Sequence, residues 1–434
     1  MPEVNGTQAI AIAVFAASYA AIISGKVDRS IAAAAGAMAM AIIVLRGHDL
    51  AGVVNWDMLL FIFGMMVVIG AMERSGLFRW LGLHAVRIAR LDPLRLFIVL
   101  PALAAVSSAF IDSITVMLFL GILTIEVCRL ARLPVLPLLI AEITAANIGG
   151  AATMIGDPPN VILGTHFGLA FSDFLFGTAP LALVGVVINI GLMTWLARHE
   201  IGEARTYFIQ HPQERARALG ELRPSQAVND RSMFVLGWIA LGCVVVLLAT
   251  HRMTGIPVGI AGVSGASFVL VTSAPRRKTP SILASVDWMT LLFFAALFLL
   301  VGGLESSGAL EALAGMILDV GGGLASALTI LLWTGAVGSA VVDNVPFAAT
   351  MTPVVEHLSG AGLPLLPLVW AAALGTDIGG NATPIGASAN VIGLTTYERE
   401  TGDHVGWGTY MRRALPTTLV VLIAMHGLLI LFHA

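Results

Sequence analysis

The chain has 434 residues, of which 58% are hydrophobic and only 11% charged, with a net charge of −3 and a mean hydropathy of +0.92; soluble domains carry about 25% charged residues. That balance excludes a water-soluble globular protein, and it points to no nucleic-acid partner. Forty-six glycines and nineteen prolines would be damaging in water-soluble helices, but membrane helices use both in close packing and broken segments.

In chain order, apolar runs occupy 8–24, 30–45, 56–72, 96–110, 114–128, 134–168 and 176–197. After a polar stretch they resume at 233–250, 256–274, 288–304, 324–341, 346–359, 364–395 and 411–432. The N-terminus, MPEVNGTQ, lacks the basic region of a cleaved signal peptide, so the first run is expected to be the first span. The paired runs around Asp112 and Asp343 have arms near the lower limit for crossing about 30 Å of hydrocarbon and a polar tip between them, and are expected to be re-entrant hairpins. Cys128 and Cys243 lie in or beside different runs and are expected to be small buried hydrophobes, not a disulfide or a thiolate metal cage.

Orientation follows from where basic residues cluster in short loops. Lys26 and Arg29; Arg74, Arg79, Arg87, Arg90 and Arg95; Arg129 and Arg132; Arg198, Arg205, Arg215, Arg217 and Arg223; Arg276, Arg277 and Lys278; and Arg412 with Arg413 fit one side, with Arg46 and Arg252 as exceptions. With these clusters inside, residues 1–198 make five crossings and one hairpin, 199–231 form a cytoplasmic linker, and 232–434 repeat the plan upside down, because five crossings is an odd number. The expectation is an all-α polytopic membrane protein of two inverted repeats of five transmembrane helices, each with one re-entrant hairpin and one discontinuous helix. Both termini would lie outside a bacterial inner membrane. The stretch FRWLGLHAVRIARL (78–91) reads as an amphipathic helix lying on the cytoplasmic leaflet.

The duplication is visible directly. NWDMLLFIFGMMVVIGAMERSG (55–76) pairs with DWMTLLFFAALFLLVGGLESSG (287–308), SAFIDS (108–113) with SAVVDN (339–344), and NIGGAATMIGDPPNVI (147–162) with DIGGNATPIGASANVI (377–392). Inverted repeats of this kind mark secondary transporters, whose sites lie at the repeat interface.

The third pair of blocks places Gly, Asn, Thr and Pro inside apolar segments long enough to cross, so those helices must break. Non-helical backbone at that depth is tolerated only where protein buries it or it lines a watery cavity. Asp112, Asp157, Asp343 and Asp377 fall at breaks or tips, Glu142 lies in the span leading into the first break, and no Lys or Arg lies in these blocks. Intramembrane carboxylates are functional hypotheses by default, and these would bind a cation or take up a proton. Asp112 and Asp343 could equally be helix caps, and Asn160 and Asn390 could hold the broken backbone together. Glu73 and Glu305 read as structural residues at span ends, while Glu126 and Glu356 should touch water.

The runs ANIGGAATMIGDPPNVI and DIGGNATPIGASANVI, with DNVP (343–346) at the second tip, resemble the ion transporter superfamily, specifically its arsenite permease and P-protein branch. The resemblance covers nearly the whole chain. It implies that Asp112, Ser113, Asn147, Thr153, Asp157 and Asn160 line one side of a site, and that Asp343, Asn344, Asp377, Asn381, Thr383, Ser388 and Asn390 line the other. The related sodium-coupled dicarboxylate carriers have Ser-Asn-Thr at their hairpin tips. Here Asp112-Ser113-Ile114-Thr115 and Asp343-Asn344-Val345-Pro346 stand instead, which argues against a dicarboxylate.

The implied function is export of arsenite or antimonite, neutral trihydroxides at neutral pH, in exchange for protons. Such a solute can be held by hydrogen bonds alone. The partners would be the metalloid hydroxide, protons or sodium, the bilayer and, as the resemblance allows, a soluble ATPase. A sodium/proton antiporter and a sodium- or proton-coupled small-anion symporter are the alternatives. No catalytic motif, phosphate loop, metal site or cofactor signature is present, so an enzyme is not expected.

Overall fold

A segment that crosses hydrocarbon must satisfy its own backbone hydrogen bonds, and a helix does so within one segment. In the computed structural model, which describes residues 6–24, 26–274, 279–319 and 323–434, the regular elements are accordingly helices. The expected basic cluster Arg276, Arg277 and Lys278 lies outside the described residues.

The first half comprises α1 (Gly6–Ser24), α2 (Arg29–Ile43), the short α3 (Leu50–Val53), α4 (Trp56–Arg74), α5 (Leu77–Ala89), α6 (Pro93–Ser108), α7 (Ser113–Ala131), α8 (Val135–Gly150), α9 (Pro158–His166) and α10 (Phe171–Leu196). Two polar helices follow, α11 (Arg198–Gln210) and α12 (Pro212–Glu221). The second half repeats the order with α13 (Arg231–Ala249), α14 (His251–Thr254), α15 (Val258–Ser273), α16 (Thr279–Leu283), α17 (Trp288–Ser306) and α18 (Ala309–Asp319). It ends with α19 (Gly323–Val341), α20 (Asn344–Gly360), α21 (Leu365–Gly379), α22 (Ser388–Thr401) and α23 (Trp407–His433).

Each half thus has five crossings, a hairpin (α6 with α7, α19 with α20) and a broken helix (α8 with α9, α21 with α22). Length alone would misassign them. Among the described residues eight helices are long and apolar enough to cross, and these include the hairpin arms α7 and α19 but not the 15- and 16-residue crossings α2 and α15. Local signals are duplicated too: Asn55 caps α4 through the Met58 amide at 2.9 Å, and Asp287 caps α17 through the Thr290 amide at 3.0 Å. Trp56 and Trp288, both more than half exposed at these equivalent helix starts, suit the membrane interface.

The halves pack as a two-fold pair. Helix α2 lies on α17 while its counterpart α15 lies on α4, α7 lies on α22 while α20 lies on α9, and α8 meets α21 as α10 meets α23. Exchanged partners around self-paired helices are what a two-fold axis through α8/α21 and α10/α23 produces.

Two expectations are corrected. Helix α5 is amphipathic, but most of its apolar face packs on the hairpin: Phe78 stacks on Phe119 of α7 with ring centroids 4.8 Å apart, and Leu83, Val86 and Ala89 are buried. The helix lies where the protein offers it an apolar groove. Cys128 is buried as expected, whereas Cys243 is exposed on the outward side of α13.

Helix α11 is tied back to the bundle by Arg413 of α23, which donates to Glu200 Oε1 at 2.6 Å. Partial burial opposes ionisation of Glu200, but the hydrogen bond and charge of Arg413 outweigh it and hold the carboxyl below its usual range. A depressed carboxylate stabilises above its unfolded pKa and loses that contribution as pH falls through the folded one. Arg413→Gln should therefore cost about 0.5–1 kcal/mol at neutral pH. The melting difference from wild type should vanish only below the ordinary glutamate range; a difference that persisted in strong acid would show that the pair is not its source.

Candidate functional site

The breaks in α8–α9 and α21–α22 are held in the same way. Asn160 Nδ2 donates to the carbonyls of Gly150 (3.1 Å) and Thr153 (2.9 Å), and Asn390 Nδ2 to those of Gly380 and Thr383, both at 2.8 Å. Pro158 opens α9 where its missing N–H costs nothing. The Thr153 hydroxyl bonds the Ala109 carbonyl and the Thr383 hydroxyl the Ala340 carbonyl, tying each break to its own hairpin tip. Asp112 and Asp343 cap α7 and α20, with Asp112 accepting from the Thr115 amide at 2.9 Å and its hydroxyl at 2.8 Å. These six residues form three symmetric pairs, and each makes a contact that holds the duplicated scaffold.

The remaining polar residues break the symmetry. Asp157 stands opposite Ala387 in the repeat, Asp377 opposite Asn147, Ser113 opposite Asn344, and Asn381 opposite Ala151. They meet at the interface of the halves. Ser113 Oγ donates to Asp157 Oδ1 at 2.7 Å, and Asn344 Nδ2 donates to Asp157 Oδ2 at 2.6 Å while reaching Asp377 Oδ1 at 3.5 Å. One amide from the second hairpin thus bridges a carboxylate of each half. Across the interface, Asn147 Nδ2 of α8 donates to Asn381 Oδ1 in the second break (2.7 Å) and to Asn390 Oδ1 of α22 (2.8 Å). All these side chains are buried.

Three of the acceptor oxygens, Asn147 Oδ1, Asn160 Oδ1 and Asp377 Oδ2, have no protein donor. Buried polar atoms of this kind are rare and call for an explanation. Residual acceptor capacity at the repeat interface suits a ligand that brings donors or positive charge.

Arg29 is a residue that sequence reasoning missed. Assigned from its neighbours to a basic loop, it lies 3.3 Å from Asp343 Oδ2 and donates to Ser388 Oγ at 2.7 Å, while Ser388 Oγ also bonds Asp343 Oδ2 at 2.7 Å. The second tip is therefore neutralised by a fixed guanidinium from the scaffold helix α2, and Asp112 at the first tip has no such partner among the described ion pairs. Nothing local in the sequence could reveal a contact across more than three hundred residues.

A vestibule of about 770 Å³ opens between α4, α9, α17 and α20, with Asn55, Thr165, His166, Glu305, Thr352 and His357 on its walls. Ala349 and Ile162 at its inner end each lie five residues, roughly 7.5 Å of helix, from Asn344 and Asp157. At its rim His166 of α9 meets Glu356 of α20 at 2.9 Å. The equivalent cleft between α7 and α22 is shut: Gly393 packs on Ile143 and Met117, and Arg129 donates to the Glu400 carbonyl at 2.7 Å. An opening on the face opposite α11 and α12, packed helices towards them, and a polar centre between are the arrangement that one station of an alternating-access cycle would have.

Comparison with known proteins agrees with this architecture. The citrate transporter (CitMHS) family matches residues 19–375. Two uncharacterised transporters of Mycobacterium tuberculosis are 33% and 34% identical, each over 95% of this chain and at least 95% of their own length. The human P protein is 32% identical over 88% of this chain, which covers 55% of that longer protein. Among solved structures, the YdaH transporter of Alcanivorax borkumensis aligns with a TM-score of 0.53 at 18% identity, over 88% of this chain and 86% of its own. MtrF of Neisseria gonorrhoeae aligns with 0.57 at 16%, over all of this chain and 96% of its own. These last two establish the fold alone. With the P protein among its relatives, the resemblance read from the two broken-helix motifs is met, and the chain is a multi-pass membrane transporter belonging to the citrate transporter (CitMHS) family.

Proposed function

We propose that this transporter exports arsenite and antimonite as neutral trihydroxides in exchange for protons, with Asp157 and Asp377 as the proton-exchanging pair of the central site. The observation that carries this reading is the set of three buried acceptor oxygens without protein donors. A trihydroxide brings three O–H donors and no charge, so it can fill acceptors without desolvating an ion. The two carboxylates share one bridging amide, so binding of a proton to either changes what the hairpin carrying Asn344 can hold. Coupling needs that kind of difference, because a ligand that binds all states equally shifts none of them. With α11 and α12 in the cytoplasm, the vestibule opens to the outside.

The family's description as citrate transporters supports a second reading, a proton-coupled carboxylate carrier. Its difficulty is electrostatic: citrate would add negative charge beside Asp157 and Asp377, and the neighbouring guanidinium of Arg29 is already committed to Asp343. Citrate would have to enter with its charge neutralised.

Everted membrane vesicles separate the readings. Arsenite accumulation that rises with an imposed proton gradient, ignores sodium and is unaffected by citrate is the expected result. Proton-driven movement of citrate without arsenite would establish the carboxylate carrier. A sodium-dependent proton flux with neither solute would make the same centre a sodium/proton antiporter.

A further inference from the structure

Glu142 lies in the middle of α8, fully buried, on the side of the break that faces the closed cleft. Thr124 Oγ of α7 sits 2.7 and 2.8 Å from its two carboxyl oxygens. A hydroxyl has one proton, which makes one full hydrogen bond or is split weakly between the two oxygens; both contacts become full hydrogen bonds when the carboxyl itself carries a proton and donates back. An ionised carboxylate would instead keep a single donor for its several acceptor positions, in the costliest part of the protein for an unpaired charge.

Among the described residues no ion pair reaches Glu142, and the charged groups nearest the closed cleft are paired elsewhere. Glu126 of α7 pairs with Arg79, and Arg129 bonds the Glu400 carbonyl. On α22, Glu398 pairs with His404 and Glu400 with Arg399, while Arg413 of α23 is taken by Glu200. Cys128, one turn beyond Thr124, is the buried titratable neighbour, and the buried Tyr410 of α23 is the other phenol or thiol on the elements packed against α8 at depth.

The repeat shows that packing does not require this pair. At the equivalent positions of the second half, Ala372 stands for Glu142 and Val355 for Thr124, and α20 and α21 pack there as α7 and α8 do. The acid and its hydroxyl partner occur together in one half only, as do the asymmetric residues of the central site. Along α8, Glu142 is five residues from Asn147, roughly 7.5 Å, between the central site and the closed cleft. We propose that Glu142 is the proton-carrying group of the half-pathway on the side of α11 and α12, where the coupling proton is held after it leaves the central site. This rests on the proton-coupled reading above, and it adds a second, separate proton site that the substrate does not touch.

The test uses full-length protein in proteoliposomes with arsenite as the probe. Glu142→Gln keeps the shape and hydrogen-bonding capacity of the neutral acid, so it should fold, and Glu142→Asp keeps the charge chemistry at a shorter reach. Arsenite counterflow, which needs no net proton movement, should persist in Glu142→Gln, while proton-driven accumulation should fall about tenfold or more; Glu142→Asp should restore part of it. Unchanged proton-driven accumulation in Glu142→Gln would overturn the proposal. Infrared spectra supply a readout independent of substrate: wild type at neutral pH should show a protonated-carboxyl C=O band that Glu142→Gln lacks. If wild type moves no arsenite, the substrate assignment fails, and the presence or absence of that band still decides for or against a proton on Glu142.

Discussion

Replacing Asp157 by Asn is expected to lower proton-driven transport by about a hundredfold or more, because it removes the term that lets protons favour one station of the cycle over another, while leaving the protein folded. The geometry explains both halves of that expectation. Asp157 accepts from Ser113 Oγ at 2.7 Å and from Asn344 Nδ2 at 2.6 Å. An Asn side chain can present its oxygen to the Asn344 amide and its nitrogen to the Ser113 hydroxyl, which turns to accept. The hydrogen bonds survive and the titratable group does not. Asn344→Ala, by contrast, should disturb both carboxylates at once, since its amide reaches Asp157 and Asp377 together. Vesicle transport read against thermal melting of the purified protein separates loss of coupling from loss of fold. Full proton-driven transport by Asp157→Asn would remove Asp157 from the coupling machinery.

Much of this was legible in the sequence, for a physical reason. Duplicated blocks expose the repeat, odd crossings per half force its inversion, and Gly and Pro runs in apolar segments force the breaks. The same logic did not separate the acids by their contacts. Asp112 and Asp343 draw attention because they are paired across the halves, yet pairing is what a duplicated cap produces, and both are caps. The residues that meet at the centre, Asp157, Asp377, Ser113 and Asn344, are those where the repeat departs from itself. All four are named as site residues from the sequence; the differences between the two copies are what set them apart from the caps. What no comparison of blocks could show is tertiary: Arg29 on Asp343, the asparagine contacts between α8 and the second broken helix, and α5 burying its apolar face on the hairpin all join segments whose distance in the chain says nothing of their distance in space.

Gly149→Ala and Gly379→Ala should each destabilise the protein by about 1–3 kcal/mol, the cost of forcing extra atoms into a packed contact, and by similar amounts. A Cβ on Gly149 would lie 2.2 Å from the Ala105 carbonyl oxygen and 2.5 Å from its Cα; one on Gly379 would lie 2.2 Å from Ala336 Cα and 2.5 Å from its oxygen. In both cases the obstacle is backbone, so no rotamer change relieves it, and the broken helix must move away from its hairpin arm. Gly191 in α10 is the control, because a Cβ there meets nothing within 4 Å; an alanine should be neutral or slightly stabilising at that helical position. Melting temperatures in one detergent would decide. If Gly149→Ala melted with wild type, the close contact between α6 and α8 would not be a fixed part of the fold. If Gly149 and Gly379 gave very different costs, the halves would not be equivalent packing units. Equal costs would show that each broken helix is packed on its hairpin in the same way, as a cycle requires if it moves these pairs as units against the scaffold helices and carries the Asp157–Asn344–Asp377 bridge, which joins both, through its alternative arrangements.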